Sequence, residues 1–476
     1  MAQTIAMTDF LAGDRRLGGP RLLHLVAYAI LIVGGIGGFL LIRSAGLDLT
    51  APPPPGDAVP FGAGGAASHA HALPHLLLAL AAVIALARIL GYVCRRIGQP
   101  SVIGEIVAGI ALGPSLLGRI APDVAAFVLP ASVAPFLQIV AQIGVIVFMF
   151  LVGVGLDVGL LRRRGHAVAA VSHASIVVPF LLGSLLALAI YPVVSTGDVP
   201  FTAFALFLGI SMSVTAFPVL ARILIDRGME RSRLGTIALS CAAVDDVSAW
   251  SLLAVVVGIV KARATDGLTT AALAVGYVAV AWFVVRPLLH RLARHTEARG
   301  ELSPTAMAAV LVAVLLSAWA TDAIGIHALF GAFLVGAAIP HDSLLARELG
   351  RRLHDLVVVL LLPAFFAFTG MRTQIGLLDA PWQWLLCAAI VLIACAGKLG
   401  GSAVAARLSG LDWRSSLALG VLMNTRGLME LIVLNIGLEL KVISPALFAM
   451  LVLMALVTTF ATTPLLHWLT RGRADA

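Results

Sequence analysis

Charge is what this chain has least of. Only 12% of its 476 residues are Asp, Glu, Lys or Arg, against about 25% in ordinary soluble domains. Hydrophobic residues make up 60% of the chain and its mean hydropathy is +1.04. A shortage of this size excludes a water-soluble globular protein and points to a polytopic membrane protein. Long polar stretches are missing as well, so no soluble nucleotide-binding or regulatory module is expected, and no cofactor is called for. The four cysteines, Cys94, Cys241, Cys387 and Cys395, lie inside or at the ends of apolar segments without metal-ligand spacing and read as small core hydrophobes. A cleavable signal peptide is not expected, because the first apolar stretch, 22–42, has full spanning length and lacks a small-residue cleavage site. The formal net charge of +8 comes from basic residues in short loops between apolar segments. That is a topology signal, and no nucleic-acid binding follows from it.

What is present is a succession of apolar windows, each long enough to cross a bilayer as a helix. They fall near 22–42, 74–94, 101–118, 135–155, 166–191, 200–223, 234–260, 268–288, 304–321, 325–340, 355–371, 382–406, 413–437 and 442–468. With the N-terminus inside, 22 of the 32 basic residues fall on cytoplasmic loops. The opposite loops hold Arg43, Arg119, Lys261, Arg263, Arg372 and Lys441. Such asymmetry supports both the span count and cytoplasmic termini. The loop from Asp48 to Ala72, with Pro52 to Pro55, is too polar and broken to span and reads as an external tether; His69, His71 and His75 cluster at its end, read as a solvated loop with a weak metal or pH-sensing site as the alternative.

Without the first helix, thirteen spans divide as six, one and six. The expected organisation is therefore an extra N-terminal helix and external loop (1–73), a first repeat (74–261), a linker helix and cytoplasmic loop (262–303) and a second repeat (304–476). One crossing between the sets gives the repeats opposite orientation in the membrane. The fifth helix of each set is interrupted: GISMSVTAFPVLAR by Pro218 after a Ser/Thr-rich run, and MNTRGLMEL by Gly427 between two charges. Broken helices at matching positions of two repeats point to a midplane binding site.

Two adjacent acids, Asp245 and Asp246, are the only charges between 234 and 260, where each costs about 2.5–3.5 kcal/mol to insert. Lys398 is likewise the sole charge between 382 and 406. At about 1.5 Å per residue, Asp245 lies roughly 17 Å from the cytoplasmic start of its helix and Lys398 roughly 15 Å from the cytoplasmic end of its own. They can meet at one depth. Adjacent helical residues point about 100° apart, so one acid can pair with Lys398 while the other faces a water-filled cavity. Such a cluster titrates as a unit, and protons and hard alkali cations compete for its oxygens. Ser213, Thr215 and unwound carbonyls of the broken helix are further candidate ligands. Arg88 with Glu105, and Arg426 with Glu430 four residues apart on one helix face, read as structural or gating ion pairs. Arg222 and Asp157, near helix ends, can reach water.

Five stretches, GQPSVIGEIVAGIALGPSLLG (98–118), SMSVTAFPVLARIL (211–224), CAAVDDVSAW (241–250), GKLGGS (397–402) and MNTRGLMELIVLNIG (423–437), together resemble the monovalent cation:proton antiporter superfamily. The resembling branch holds bacterial sodium/proton and potassium/proton antiporters, glutathione-gated potassium efflux proteins and plant cation/proton exchangers. The resemblance implies an all-α, thirteen-helix inverted-repeat fold, here with one extra helix, usually as a homodimer in the bilayer. It implies that Asp246 carries the cation and the proton, that Asp245 pairs with Lys398, that Thr215 occupies a polar position of the crossed, unwound helix, and that an Asp-Asp pair with this lysine exchanges electrogenically. Na⁺, K⁺ or Li⁺ against protons is the expected exchange, and MNTRGLMEL leans toward the plant-exchanger-like group, where potassium is often handled. No gating domain of the potassium efflux type is expected after Ala476. The alternative is a channel-like potassium efflux protein without obligatory proton coupling. An intramembrane aspartyl protease is disfavoured, because its two acids converge from separate helices.

Overall fold

A segment in lipid has no water to satisfy its amides and carbonyls, so it must close its own hydrogen bonds. In the computed structural model the described residues are helical throughout their regular parts and contain no strand. The structure describes residues 21–50, 72–155, 166–195, 197, 199–227, 229, 232–261, 267–324 and 327–470. The Pro-rich tether, His69, His71 and Asp157 lie outside them.

In chain order the helices are α1 (Arg21–Gly46), α2 (Ala72–Arg96), α3 (Ser101–Leu112), α4 (Leu117–Ile120), α5 (Pro122–Val128), α6 (Ala134–Val154) and α7 (His166–Val194). Next come α8 (Phe201–Ser213), α9 (Phe217–Asp226), α10 (Arg233–Lys261), α11 (Gly267–Val280), α12 (Arg286–Arg299), α13 (Pro304–Ile324) and α14 (Ala328–Ala338). The last are α15 (Leu344–Leu356), α16 (Leu362–Arg372), α17 (Pro381–Cys395), α18 (Gly401–Leu408), α19 (Trp413–Met423), α20 (Leu428–Glu439) and α21 (Pro445–Thr470). Proline opens several of them, at Pro122, Pro304, Pro381 and Pro445, where its missing amide proton costs nothing. Ser343 and Asp412 cap α15 and α19 by accepting from the Ala346 and Ser415 amides, both at 3.2 Å. Gly300, at φ 73°, turns the chain out of α12. π-helical turns interrupt the helical runs at 281–285, 357–361 and 396–400.

Ten of the described helical spans are long and apolar enough to cross a membrane. The pair α19 and α20, bent by 45°, makes eleven, and Ile30–Gly46, Phe201–Ser213 and Ala328–Ala338 are shorter apolar helices. This is an integral membrane protein.

The chain divides into two compact units, and each takes helices from both halves of the sequence. One holds Met1–Pro54, Leu160–Ala249 and Ala380–Ala476; the other holds Pro55–Gly159 and Trp250–Asp379. Lipid gives helices no hydrophobic reason to associate, so close backbone approach does that work. In the second unit a Cβ on Gly109 would lie 2.1 Å from the Ala367 carbonyl oxygen, and one on Gly370 would lie 2.3 Å from that of Ile106, so α3 and α16 touch backbone to backbone. Its apolar interior includes Phe150, Leu289, Val310, Val335 and Leu349.

In the first unit α7 is packed on two sides. Gly397 and Gly401 lie against Pro179 and Val178, where an added Cβ would come within 2.9 Å of each residue. On another side the extra helix α1 sets Gly35 against Val177, stacks Phe39 on Phe180 at 5.6 Å, and donates from Arg43 to the Thr202 hydroxyl at 3.2 Å. Ile30, Val33, Ile36 and Leu41 of α1 remain exposed, as a lipid-facing helix requires.

Candidate ion site

Every residue of the candidate site belongs to the first unit. The helix α8 stops at Ser213, residues 214–216 are unwound, and α9 starts at Phe217, just before Pro218. In the second interruption α19 stops at Met423, residues 424–427 are unwound, and α20 starts at Leu428. The two breaks meet: the Ala216 amide donates to the Thr425 carbonyl at 2.9 Å, and the Thr215 hydroxyl lies 3.2 Å from the Met423 carbonyl. Gly427 allows this approach, since a Cβ there would lie 2.7 Å from Val219 Cγ2.

Asp245 projects from α10 into a cage of donors. Ser172 Oγ donates to its Oδ1 at 2.5 Å, and Oδ2 accepts from Thr215 Oγ1 at 2.8 Å, from Lys398 Nζ at 3.1 Å and from Ser175 Oγ. Both oxygens of Asp245 are thus engaged, Oδ1 by one hydroxyl and Oδ2 by two hydroxyls and an ammonium. Ser172 and Ser175 stand three residues apart on α7 and so share a face. All five side chains are fully buried. Lys398 sits in the π turn 396–400, and besides Asp245 its Nζ donates to the carbonyls of Ser175, at 2.9 Å, and Ser213. Buried charges survive only when paired and hydrogen-bonded, and this pair is both.

Asp246 is held differently. The Phe217 backbone amide, at the start of α9, hydrogen-bonds to its carboxyl group, where a helix N-terminus favours negative charge. Its Oδ1 has no protein partner, although the residue is only 6% exposed. One acid is saturated while its neighbour keeps an oxygen open.

Ser213 enters the site through its backbone. Its hydroxyl donates within α8 to Gly209 O at 2.8 Å or across to Ile176 O at 3.0 Å, while its carbonyl receives Lys398. Thr215 is turned to Asp245 rather than to Asp246. Arg426 and Glu430 form a fully buried ion pair at 3.1 Å in the same unit. Arg88 and Glu105 belong to the other unit, where Arg88 donates to the Val358 carbonyl at 3.4 Å and Glu105 feels the charges of Arg88 and Arg95 and a hydrogen bond from Ser101. Sequence reasoning missed Ser172, Ser175 and the Phe217 amide. Two hydroxyls three apart in a mostly apolar span were the available signal for the serines. Among the described residues no group of three or more His, Cys, Asp or Glu side chains could hold a resident metal ion.

Known proteins share this architecture. The profile of the family described as sodium/hydrogen exchanger, transmembrane, matches residues 81–471. The chain is 44% identical over 397 residues to the Na(+)/H(+) antiporter NhaS4 of Synechocystis, covering 82% of this chain and 96% of that protein. It is 39% identical to cation/H(+) antiporter 18 of Arabidopsis thaliana, over 83% of this chain and 48% of the relative, and 35% identical to K(+)/H(+) antiporter 1 of Saccharomyces cerevisiae, over 77% and 43%. The chain thus spans about half the length of these plant and yeast relatives. In fold it is similar to the sodium proton antiporter MjNhaP1 of Methanocaldococcus jannaschii, with TM-score 0.58, 15% identity and coverage of 84% of this chain and 98% of that one.

Proposed function

Because the chain belongs to the transmembrane sodium/hydrogen exchanger family, and is thus a monovalent cation/proton antiporter rather than an enzyme, we propose that it exchanges Na⁺ or K⁺ for protons electrogenically, by alternating access, with Asp246 as the carrier. The observation that carries this reading is the contrast between neighbours. Asp245 is filled by Ser172, Ser175, Thr215 and Lys398, whereas Asp246 keeps Oδ1 without a protein partner. An open carboxylate oxygen takes either a proton or a cation, and the two exclude each other there. A dehydrated alkali cation needs several oxygens, and on this reading unwound carbonyls of the breaks join Asp246 in supplying them. Asp245 anchors Lys398, and this buried acid–lysine pair beside the carrier is the basis of the electrogenic reading.

The same reading assigns thirteen core crossings as inverted repeats over 74–261 and 304–476, joined by 262–303, with α1 added and the shorter apolar helices Phe201–Ser213 and Ala328–Ala338 counted as crossings or parts of them. It expects a homodimer in a bacterial inner membrane with cytoplasmic termini, and Arg426, Glu430, Arg88 and Glu105 as structural or gating charges. The test is reconstitution of the chain in liposomes with imposed Na⁺, K⁺ or Li⁺ gradients, recording internal pH with the membrane potential clamped and free. Cation-driven proton movement that depends on potential, and its loss in Asp246→Asn, are expected. Cation flux without proton counterflow would favour the channel-like alternative, and intact exchange in Asp246→Asn would remove the carrier.

A further inference from the structure

The C-terminal end of α8 is the negative pole of a half-helix buried in the first unit, and its last carbonyls receive two cations. Arg426 Nη1 donates to Ser211 O at 2.9 Å and Nη2 to Met212 O at 2.7 Å. The next carbonyl, Ser213 O, receives Lys398. Arg426 is itself fixed: its amide donates to Thr459 Oγ1 at 3.0 Å, and that hydroxyl donates back to the Arg426 carbonyl at 2.7 Å. Its charge is balanced by Glu430, in the first turn of α20, through Nη1 and Oε2. Glu430 is fully buried, and its other oxygen, Oε1, has no protein partner. Contacts therefore run without a gap from Glu430 through Arg426 and the end of α8 to Lys398 and Asp245.

The charges that act on Glu430 are those of Arg426 and Lys398. Of the elements packed on α20, α8 has no ionisable side chain and α21 has only His467, toward its far end; α9, which carries Arg222 and Asp226, lies against Gly427 through Val219. Neither Arg426 nor Glu430 touches the carrier Asp246. The pair is more than one structural link between helices requires, since Arg426 already has two carbonyls and a clamped backbone.

We propose that Glu430 is a second proton-binding group of the ion-carrying unit, and that its charge state sets, through Arg426, how strongly the Asp245, Lys398 and Asp246 cluster holds a cation. This rests on the reading of Asp246 as carrier. With Glu430 ionised, the Arg426 charge is balanced locally. When Glu430 takes a proton from water, an O–H bond forms on the carboxylate and the guanidinium becomes an uncompensated positive charge one residue from the carbonyl that holds Lys398. An arriving cation is repelled, and at the effective dielectric of protein sites that repulsion is about tenfold in cation affinity. Acid therefore weakens cation capture twice, by competition at Asp246 and by unmasking Arg426.

The experiment measures KM for Na⁺ and for K⁺ against pH in proteoliposomes of the full chain. The wild type is expected to lose cation affinity on acidification with a slope steeper than one proton. Glu430→Gln, which keeps an oxygen for Arg426 but cannot ionise, is expected to raise KM about tenfold at alkaline pH and to leave a one-proton slope. The double variant Arg426→Gln/Glu430→Gln removes both charges and is expected to recover the wild-type alkaline KM with the one-proton slope. A merely structural pair would instead make the double variant at least as impaired as the single one. Wild-type KM and slope in Glu430→Gln, or an unrecovered double variant, overturn the proposal while Asp246→Asn remains inactive. If Glu430→Gln does not fold, the double variant decides alone, and a slope still steeper than one proton overturns the proposal. Exchange that survives in Asp246→Asn sinks the carrier reading instead.

Discussion

The two unwound segments of the first unit look alike in the sequence and differ in what their side chains do. In the first, the hydroxyls of Ser213 and Thr215 both have partners, and Thr215 serves Asp245. In the second, residues 424–430 hold four buried polar atoms without a protein partner: Asn424 Oδ1, Thr425 Oγ1, Arg426 Nε and Glu430 Oε1. Buried polar atoms are nearly always satisfied, and exceptions mark water, strain or function. The first break is therefore a closed scaffold that fixes one carboxylate and one amine, and the second is where protonation or hydration can change at low cost. Two crossing segments have divided rigidity and adaptability between them.

Substitutions graded by size test that division. Lys398→Ala should do most, because it removes the charge shared by Asp245 and the Ser213 carbonyl and leaves an acid buried without its partner. Loss of one member of a buried pair costs about 3–5 kcal/mol, so thermal unfolding in detergent should show a large fall, and any residual exchange should no longer respond to membrane potential. Unchanged charge movement would remove the lysine from transport. Thr215→Val comes next, since it keeps shape but deletes a hydrogen bond to a charged group, at about 1.5–3 kcal/mol. Denaturant or thermal titration and the cation KM should both register it. Gly427→Ala puts a methyl group 2.7 Å from Val219 Cγ2 at the crossing, which at about 1–3 kcal/mol for overpacking should slow transport without changing the ion preference. Thr425→Val should do least, because its buried hydroxyl has no protein partner to lose. A Thr425→Val effect as large as that of Thr215→Val would erase the contrast between the breaks.

The sequence exposed those parts of the site whose chemistry is costly in lipid. Asp245, Asp246 and Lys398 were visible because a lone charge in a long apolar window has no other excuse, and both breaks were marked, one by Pro218 and the other by Gly427 between charges. Segment by segment, each predicted window contains a described helix, although the run read as one span over 382–406 is α17, a π turn and α18. A π turn has no letter code, because it is one surplus residue in an apolar helix. Ser172 and Ser175 were hidden for a related reason: serine is tolerated in membrane helices by bonding its own backbone, and Ser172 O, at 2.8 Å, is the alternative acceptor for the Ser175 hydroxyl. The direction of the Ser213 hydroxyl was equally unreadable, since near a helix end the carbonyl four residues back competes with every distant partner. Pairing of Arg426 with Glu430 followed from their spacing, whereas the reach of Arg426 to two carbonyls of α8 needed the crossing itself.

The helix α1 lies outside the stretch that the family profile matches, yet it seats its glycines on α7, the helix that brings Ser172 and Ser175 to Asp245. Stripping such a helix from a soluble protein would uncover greasy surface to water and invite clumping. Here the vacated flank of α7, with Val177 and Phe180, would simply be wetted by acyl chains, which are as oily as the helix they replace. An added span of this kind is thermodynamically almost a bystander, free to be gained or trimmed, and what it imposes on its host is stiffness along one side of the helix that holds the acid.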